Sequence, residues 1–358
     1  RFMANHLQSA KLRYEESKGS ERDRDRAILD DDVLLSVRNL STYFFSREGI
    51  QRAVDGVSFD IKRGEILGIA GESGCGKSVT SQSILRIVPR PGRIVDGEIL
   101  LRHDDEIVDL AQLDPTGNAI RKIRGASISM VFQEPMTSFS MAYTIGNQII
   151  EVIRLHQDVD EKEARRRAID ILRRVGMPKP EQNIDAYPFA LSGGMRQRAM
   201  IAMALSCHPI LLIADEPTTA VDVTIQAQIL ELMKSLQQEM NMAMIVITHD
   251  MAVISELCDR VMIMYLGKDV ESAPADELFH SPKHPYTIGL LHSVPQLGGG
   301  KSQEIVAIAG TVPSPYDRPT GCPFHPRCPQ FIAGVCDQHE PPQVNVGPNH
   351  WVRCHLYV

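Results

Sequence analysis

The stretch Gly71-Glu-Ser-Gly-Cys-Gly-Lys77-Ser78 decides the fold of this chain of 358 residues. It fits the pattern GxxxxGK[ST], in which glycines let the backbone curl so that successive N–H groups face a phosphate. An apolar run at 66–70 precedes the stretch and a helical pattern follows it, as a strand–loop–helix phosphate site requires. The pattern predicts that Lys77 reaches the β- and γ-phosphates of a nucleotide and that Ser78 binds Mg²⁺.

Two acidic residues end a second apolar run, Leu211-Leu-Ile-Ala-Asp215-Glu216. Ligands of open α/β sheets bind at the carboxyl ends of the strands, so both carboxylates are expected at the phosphate site. Asp215 is predicted to orient Mg²⁺ or its water. Glu216 is predicted to be the general base for a water molecule that attacks the γ-phosphate.

A third motif, Leu191-Ser-Gly-Gly-Met-Arg-Gln-Arg198, opens a long helical pattern. Taken alone, it fits a serine N-cap as well as it fits an anion-binding helix N-terminus. The two motifs above favour the second interpretation.

Composition and charge narrow the class of protein. Hydrophobic residues make up 43% and charged residues 23% of the chain, which is ordinary for a globular α/β protein. The net charge of −7 argues against a general basic surface for nucleic acid. No apolar run approaches the roughly 20 residues that cross a bilayer, and no apolar signal core opens the chain. We therefore expect neither export nor a membrane span.

Short β-branched runs alternate with longer helical patterns, which predicts an α/β fold with a mainly parallel sheet. Strands are predicted at 34–40, 52–60, 65–70, 128–132, 210–214, 244–248 and 260–265, and helices at 78–87, 145–155, 161–175, 193–206, 224–240 and 251–257. The nearly all-helical stretch at about 136–200 is predicted to be an inserted helical subdomain. The predicted domains are a charged arm at 1–31, the α/β domain at 32–295 and an irregular Pro/Cys-rich appendage at 296–358.

Over about residues 33–295 these motifs resemble the nucleotide-binding subunit of an ABC transporter, an α/β fold with a P-loop. The resemblance implies that the chain hydrolyses ATP, with Glu216 and His249 (in Ile-Thr-His-Asp250) as catalytic residues. It implies an adenine-stacking role for Phe44 and a Mg²⁺-ligating role for Gln133 in Val-Phe-Gln-Glu-Pro. The implied contacts with ATP in the phosphate loop are Gly71, Ser73, Gly74, Cys75, Gly76, Lys77 and Ser78.

The same resemblance implies that two chains share each ATP. Ser192, Gly193 and Gly194 then contact the ATP of the partner subunit, and Asp222 lies in the loop Thr219-Ala-Val-Asp222 between the subunits. Met195 and Val221 depart from the commoner Gln and Leu of the family, while Glu216 is intact. The expected partners are a second, non-identical ATPase subunit, two transmembrane permease subunits and, indirectly, a substrate-binding protein, but no nucleic acid. The expected location is the cytoplasmic face of the inner membrane, as a peripheral subunit.

Near the end of the chain, His284-Pro-Tyr-Thr287 and Gly321-Cys-Pro-Phe-His-Pro-Arg-Cys328 resemble the tail of the oligopeptide/dipeptide/nickel branch of importer ATPases. The resemblance implies peptide import, with an oligosaccharide or nickel as alternatives. A different class, a soluble ABC ATPase that acts on ribosomes or DNA, fits less well, because such proteins generally carry two ATPase modules or a long coiled coil. A non-catalytic scaffold is disfavoured by the intact Glu216 and His249.

Four cysteines in the tail have the spacing C-x5-C-x7-C-x17-C, namely Cys322, Cys328, Cys336 and Cys354. Four converging thiolates hold either a tetrahedral Zn²⁺ or a [4Fe–4S] cluster. We expect the cluster, with Zn²⁺ as the alternative, because the paired C-x2-C of structural zinc sites is missing and the resemblance implies an iron–sulfur cluster in such tails. A further cysteine, Cys75, lies in the phosphate loop, and its position predicts that a thiol reagent blocks ATP hydrolysis and that ATP protects.

Overall fold

The fold is described from a computed structural model, which covers residues 29–104, 106–219, 222–293 and 308–358. The predicted charged arm therefore lies outside the described residues, apart from residues 29–31. The described strands, in chain order, are β1 Val33–Ser46, β2 Gly49–Lys62, β3 Ile66–Ala70, β4 Gly92–His103, β5 Glu106–Asp109, β6 Ile128–Val131, β7 Leu211–Asp215, β8 Ala243–Thr248, β9 Arg260–Tyr265, β10 Lys268–Pro274, β11 Gln343–Gly347 and β12 His350–Arg353.

The described helices are numbered in the same way. They are α1 Lys77–Ile84, α2 Asn118–Ile123, α3 Pro135–Ser138, α4 Ile145–His156, α5 Glu161–Arg174, α6 Pro180–Asn183, α7 Gly193–Leu205, α8 Val223–Met240, α9 Met251–Leu257, α10 Ala275–His280 and α11 Pro285–His292. None of the described helices is both long and apolar enough to cross a membrane.

The larger sheet has the strand order β11-β12-β10-β9-β3-β8-β7-β6. Its five strands from β9 to β6 are parallel to one another, as predicted. Every residue of β3, β7 and β8 is buried, because helices and the second sheet cover both faces. The sequence of each of these strands is consequently an almost unbroken apolar run, which is why they could be predicted from the sequence.

The smaller sheet is antiparallel and has the order β2-β1-β4-β5. The predicted strands at 34–40 and 52–60 belong to this sheet as parts of β1 and β2, and not to the parallel sheet. The prediction missed β4 and β5. Only residues 99–101 of β4 are a buried apolar run, and the rest of that strand is half-buried or exposed, so its hydrophobic signal is weak.

Five helices, α3 to α7, lie between β6 and β7 in the chain. In α4 the buried side chains Ile145, Ile149 and Ile153 recur every four residues and form one face. Helix α5 buries Ala164, Ala168 and Leu172 in the same way, and α5 packs against both α4 and α7. Asp160 caps α5 by accepting a hydrogen bond from the N–H of Glu163 at 2.7 Å.

The C-terminal residues differ from the predicted irregular appendage. Strand β12 pairs with β10, and β11 pairs with β12, so the tail extends the larger sheet. Buried polar groups join the two segments, since Glu271 of β10 accepts a hydrogen bond from His350 of β12 at 2.8 Å. The pairing joins segments about 80 residues apart, and local periodicity carries no information on such a partner.

His284, at the start of α11, gives the fold a predicted dependence on pH. Its side chain is buried and caps the helix by accepting the N–H of Tyr286 at 3.0 Å. Burial lowers the pKa of His284 from 6.5 to about 3. Between these pH values the unfolded chain binds a proton that the folded chain does not, so stability falls as the pH falls below 6.5, by about 1.4 kcal/mol per pH unit.

The variant His284→Asn keeps a capping side chain but cannot take up the proton. We expect the loss of unfolding free energy between pH 7 and pH 5 to be about 2 kcal/mol smaller than in the wild type. Urea unfolding at the two pH values measures it. The exposed His339 supplies the control variant His339→Asn, which should leave the pH dependence unchanged. Equal pH dependence in His284→Asn and wild type would contradict the prediction.

Candidate nucleotide-binding site

The predicted site residues lie at one edge of the larger sheet. The phosphate loop follows β3, and Gln133 follows β6. Asp215 ends β7, Glu216 comes directly after it, and His249 follows β8. Because these strands are parallel neighbours, their carboxyl ends meet at the same edge. The topology thus brings together residues that are far apart in the sequence.

The phosphate loop has a backbone that requires glycine at two positions. Gly71 has φ of +149° and Gly76 has φ of +107°. A Cβ at Gly76 would overlap the carbonyl oxygen of Ala53, and a Cβ at Gly71 would overlap that of Met264. Only glycine therefore allows the loop to curl this closely against β2 and β9.

Lys77, the first residue of α1, points back over the loop. Its amine donates hydrogen bonds to the carbonyl oxygens of Gly71 at 2.6 Å and Glu72 at 3.1 Å. The side chain is buried, so this positive charge is held at the centre of the loop. A buried cation held against a glycine-rich loop suits the binding of phosphate oxygens.

Ser78 and Asp215 are in contact across the gap between α1 and β7. The Ser78 hydroxyl donates a hydrogen bond to Oδ1 of Asp215 at 3.1 Å. Burial raises the pKa of Asp215 above its usual value. The hydrogen bond from Ser78 opposes this shift, and the nearby charge of Glu216 adds to it. A hydroxyl and a carboxylate side by side offer the oxygen ligands that Mg²⁺ prefers, so this pair fits the ion.

Glu216 and His249 form the second pair of the site. Oε1 of Glu216 lies 2.7 Å from Nδ1 of His249, and its Oε2 accepts a hydrogen bond from the Thr219 hydroxyl at 3.1 Å. The backbone of Glu216 has φ of +50°, and its N–H donates to the carbonyl of Ile247. This uncommon conformation turns the carboxylate away from the strand and towards His249.

Gln133 follows a strand of this edge, whereas Phe44 belongs to the smaller sheet. Gln133 is exposed, two residues after β6 ends. Phe44 is half-buried in β1, and its ring lies against Gly92 of β4, where a Cβ would come within 2.7 Å. The neighbouring Tyr43 is occupied by a hydrogen bond from its hydroxyl to Asp55 at 2.6 Å.

Of the residues predicted to contact a partner's ATP, Ser192 and Gly193 are exposed and Gly194 is half-buried. Ser192 is exposed and caps α7, where its hydroxyl accepts the N–H of Met195 at 3.3 Å. Gly193 has open space where a Cβ would be. Asp222 caps α8 by accepting the N–H of Ile225 at 3.0 Å. Ala220 and Val221 of the same loop lie outside the described residues.

Sequence reasoning missed two glutamines that connect these motifs. Gln197, buried in α7, donates a hydrogen bond to the carbonyl of Pro217 at 2.5 Å, directly after Glu216. Gln226 of α8 donates to Asp250 at 3.2 Å, directly after His249. The one signal available for Gln197 was its place in the motif at 191–198, and Gln226 had none.

Cys75 is less accessible than its position in the loop suggested. Its side chain is 3% exposed, and burial raises the pKa of its thiol. Thiol reagents attack the thiolate, which is scarce here. The predicted block of ATP hydrolysis by such a reagent therefore does not follow from this structure.

We expect a maleimide to modify Cys75 at least about tenfold more slowly in the folded chain than in the urea-unfolded chain, because burial limits both thiolate formation and access. Mass spectrometry of the loop peptide over time measures both rates. We also expect Cys75→Ser to keep its ATP affinity within about twofold, since phosphate loops of this kind bind through backbone N–H groups and not through this side chain. Equal labelling rates in the two states would contradict the burial argument.

The tail cysteines come together, but the metal centre predicted there is wrong. Across the described residues, no group of three or more His, Cys, Asp or Glu side chains is arranged to hold a metal ion. The N–H of Cys322 donates to the carbonyl of Cys336 at 2.8 Å, and the nearby thiols help burial to raise the pKa of Cys322 to about 12. Burial also raises the pKa of Cys354 to about 11. Cys322, Cys336 and Cys354 are buried, where a thiol packs as a small apolar group.

Comparison with known proteins agrees with this site. The family model for "ABC transporter" matches residues 54–219, and that for "Oligopeptide/dipeptide transporter, C-terminal region" matches residues 270–336. The oligopeptide transport ATP-binding protein AppD of Bacillus subtilis (strain 168) is 51% identical over 91% of this chain and 97% of its own length. The dipeptide transport ATP-binding protein DppD of Escherichia coli (strain K12) is 45% identical over 90% of this chain and 96% of its own. Both are named as ATP-binding proteins, and neither name mentions a cluster.

A solved structure matches as well. The ATP-binding cassette MJ0796, in a dimeric post-hydrolysis state bound to ADP and Pi, is 27% identical, with a TM-score of 0.60 over 68% of this chain and 99% of the cassette. Fold and site define an ABC-type ATP-binding cassette that hydrolyses ATP. The chain belongs to the ABC transporter family, as one of its ATP-binding subunits.

Proposed function

We propose that this chain is the ATP-hydrolysing subunit that energises an importer of peptides. The observation that carries the proposal is the similarity, over nine-tenths of the chain, to proteins named for oligopeptide and dipeptide transport. The C-terminal match supports the same branch, since it covers a region that the ATPase model does not. Import of an oligosaccharide or of nickel is the alternative within that branch.

In the proposed reaction, Lys77 and the loop N–H groups bind the β- and γ-phosphates of ATP. Ser78, Asp215 and Gln133 are the proposed ligands of Mg²⁺, which when bound offsets the charge of the phosphates. The 3.1 Å contact between Ser78 and Asp215 supports two of these three assignments.

Glu216 is the proposed general base. Its carboxylate takes a proton from water as the water oxygen bonds to the γ-phosphorus, and the bond from that phosphorus to the bridging oxygen of ADP breaks. The 2.7 Å contact with His249 and the Thr219 hydrogen bond orient both carboxylate oxygens. His249, whose side chain is 64% exposed, is then available to contact the γ-phosphate.

The proposed active unit contains two ATPase chains, of which the second is a different protein. Ser192, Gly193 and Gly194 of one chain complete the ATP site of the other, and Asp222 lies between them. The exposure of Ser192, Gly193 and Asp222 supports this arrangement, because an isolated chain leaves these residues uncovered. The dimeric state of the matching cassette is further support.

The helices at about 136–200 are proposed to form a subdomain within the α/β domain at 32–295, with the tail at 296–358 as a third part. Two permease subunits would dock on the helical subdomain, and a substrate-binding protein would act through them. The chain would then work as a peripheral subunit on the cytoplasmic face of the inner membrane.

Reconstitution tests this proposal. The chain, its ATPase partner and the permease subunits are placed in vesicles, and ATP hydrolysis is measured with the binding protein and a peptide present. We expect peptide to stimulate hydrolysis several-fold, since closure of the ATPase pair is coupled to transport. An oligosaccharide or nickel with its own binding protein is the comparison. Stimulation by one of these and not by peptide would replace the proposed substrate.

A further inference from the structure

Arg327 of the C-terminal tail reaches the phosphate loop. Its guanidinium donates two hydrogen bonds to the carboxylate of Glu72, at 2.7 and 3.1 Å. Its Nε donates to the carbonyl of Ala309 at 3.0 Å, which aims the side chain. The Arg327 side chain is 4% exposed, so solvent screens this pair less than it screens a surface ion pair.

Glu72 is the second residue of the loop, and each of its polar groups is used. Its N–H donates to the hydroxyl of Tyr286 at 2.8 Å, and its carboxylate binds Arg327. Its carbonyl accepts from the amine of Lys77 at 3.1 Å and from the N–H of Cys75 at 3.3 Å. The carbonyl of Glu72, together with that of Gly71, thereby holds the amine of Lys77 in place.

An aromatic cluster holds the tail in register behind the loop. Phe324, three residues before Arg327, is buried with Tyr265 and Tyr286, at ring-centroid distances of 5.2 and 5.4 Å. Two of these residues also touch the pair directly, because Tyr286 binds Glu72 and the Tyr265 hydroxyl lies 3.4 Å from Arg327. The tail is thus a rigid support for its arginine.

We propose that Arg327 is a positioning residue for ATP binding, which acts through Glu72 to hold the phosphate loop and Lys77 in their binding arrangement. The inference rests on the proposed role of residues 71–78 as the ATP phosphate loop. It assigns the tail a function within ATP hydrolysis. Arg327 itself does not touch the nucleotide in this account.

The test measures binding of a fluorescent ATP analogue, mant-ATP, to the full chain. Arg327→Met is expected to raise the Kd about tenfold, the loss corresponding to one buried charge-assisted pair. Arg327→Lys, which keeps the charge but not the two-pronged geometry, is expected to raise it about threefold. In the reconstituted transporter, the KM for ATP should rise while kcat stays within about twofold of the wild-type value. The reason is that the lost interaction stabilises bound ATP and the transition state equally.

A double-mutant cycle asks whether Arg327 acts through Glu72. Glu72→Gln should weaken mant-ATP binding by a similar factor, and adding Arg327→Met to it should have little further effect. If the two changes weakened mant-ATP binding independently, so that their effects added in the double variant, the proposal would be overturned.

The matched control is Arg353→Met. Arg353 is also a tail arginine, and it pairs with the buried Asp269 of β10 at 3.3 Å and not with a residue of the loop. The Arg353→Met variant should bind mant-ATP like the wild type, whatever the thermal stability of the variant. Binding equal to wild type in Arg327→Met, or equal weakening in Arg353→Met, overturns the inference. Failure of the wild type itself to bind mant-ATP would instead refute the proposed phosphate loop.

Discussion

Glu216→Gln is expected to lower kcat for ATP hydrolysis by about 10²- to 10³-fold while ATP still binds. The amide keeps the size of the side chain and can still bond to Thr219 and His249, but it cannot accept the proton of the attacking water. Thr219 and His249 orient the two oxygens of Glu216, so the carboxylate is held in place to accept this proton. The measurement is phosphate release at saturating ATP, with mant-ATP binding measured alongside.

The control for this variant is Glu231→Gln on the exposed side of α8, which removes one carboxylate without touching the site. It should leave kcat unchanged. If Glu216→Gln kept more than about a tenth of the wild-type kcat, another group would have to be the base. Lost mant-ATP binding in Glu216→Gln would instead show that this side chain mainly supports the fold of the site.

Lys77→Met is expected to weaken ATP binding by about 100-fold or more, through the loss of a buried cation that pairs with phosphate oxygens. The amine also binds the carbonyls of Gly71 and Glu72, so part of the effect comes from a loosened loop. Titration with mant-ATP measures the affinity, and thermal unfolding without nucleotide measures the cost to the fold.

A lysine elsewhere provides the matched control. The amine of Lys234 also donates to a main-chain carbonyl, that of Glu256, at 3.2 Å, but on the exposed surface. Lys234→Met should bind mant-ATP like the wild type. If Lys77→Met did so as well, the cation would not be the phosphate ligand that the loop geometry indicates.

The local parts of this protein could be predicted from the sequence. The strand predicted at 260–265 and the helix predicted at 251–257 have the bounds seen in β9 and α9. The phosphate loop was identified from eight consecutive residues, because the φ angles and N–H directions that bind phosphate are properties of a short segment. Glu216 was recognisable in the same way, as an acid directly after a buried strand.

The burial of individual side chains was not predictable in this way. Cys75 looked like a reactive thiol, and the tail cysteines looked like metal ligands, because spacing says which residues are near in the chain and not which become buried. The tail was expected to be irregular, yet it contributes β11 and β12 to the larger sheet. The pairing partner, β10, lies beyond any local window of periodicity.

The sequence alone thus determined the class of chemistry, since residues at fixed short spacing carry the phosphate loop and the acidic pair. Only the tertiary structure decided how the loop is supported. Arg327 and Glu72 are 255 positions apart, and their contact exists because Phe324 packs on Tyr265 and Tyr286 behind the loop. The physical reason is that motif chemistry is local, whereas burial and pairing depend on which distant segments the core brings together.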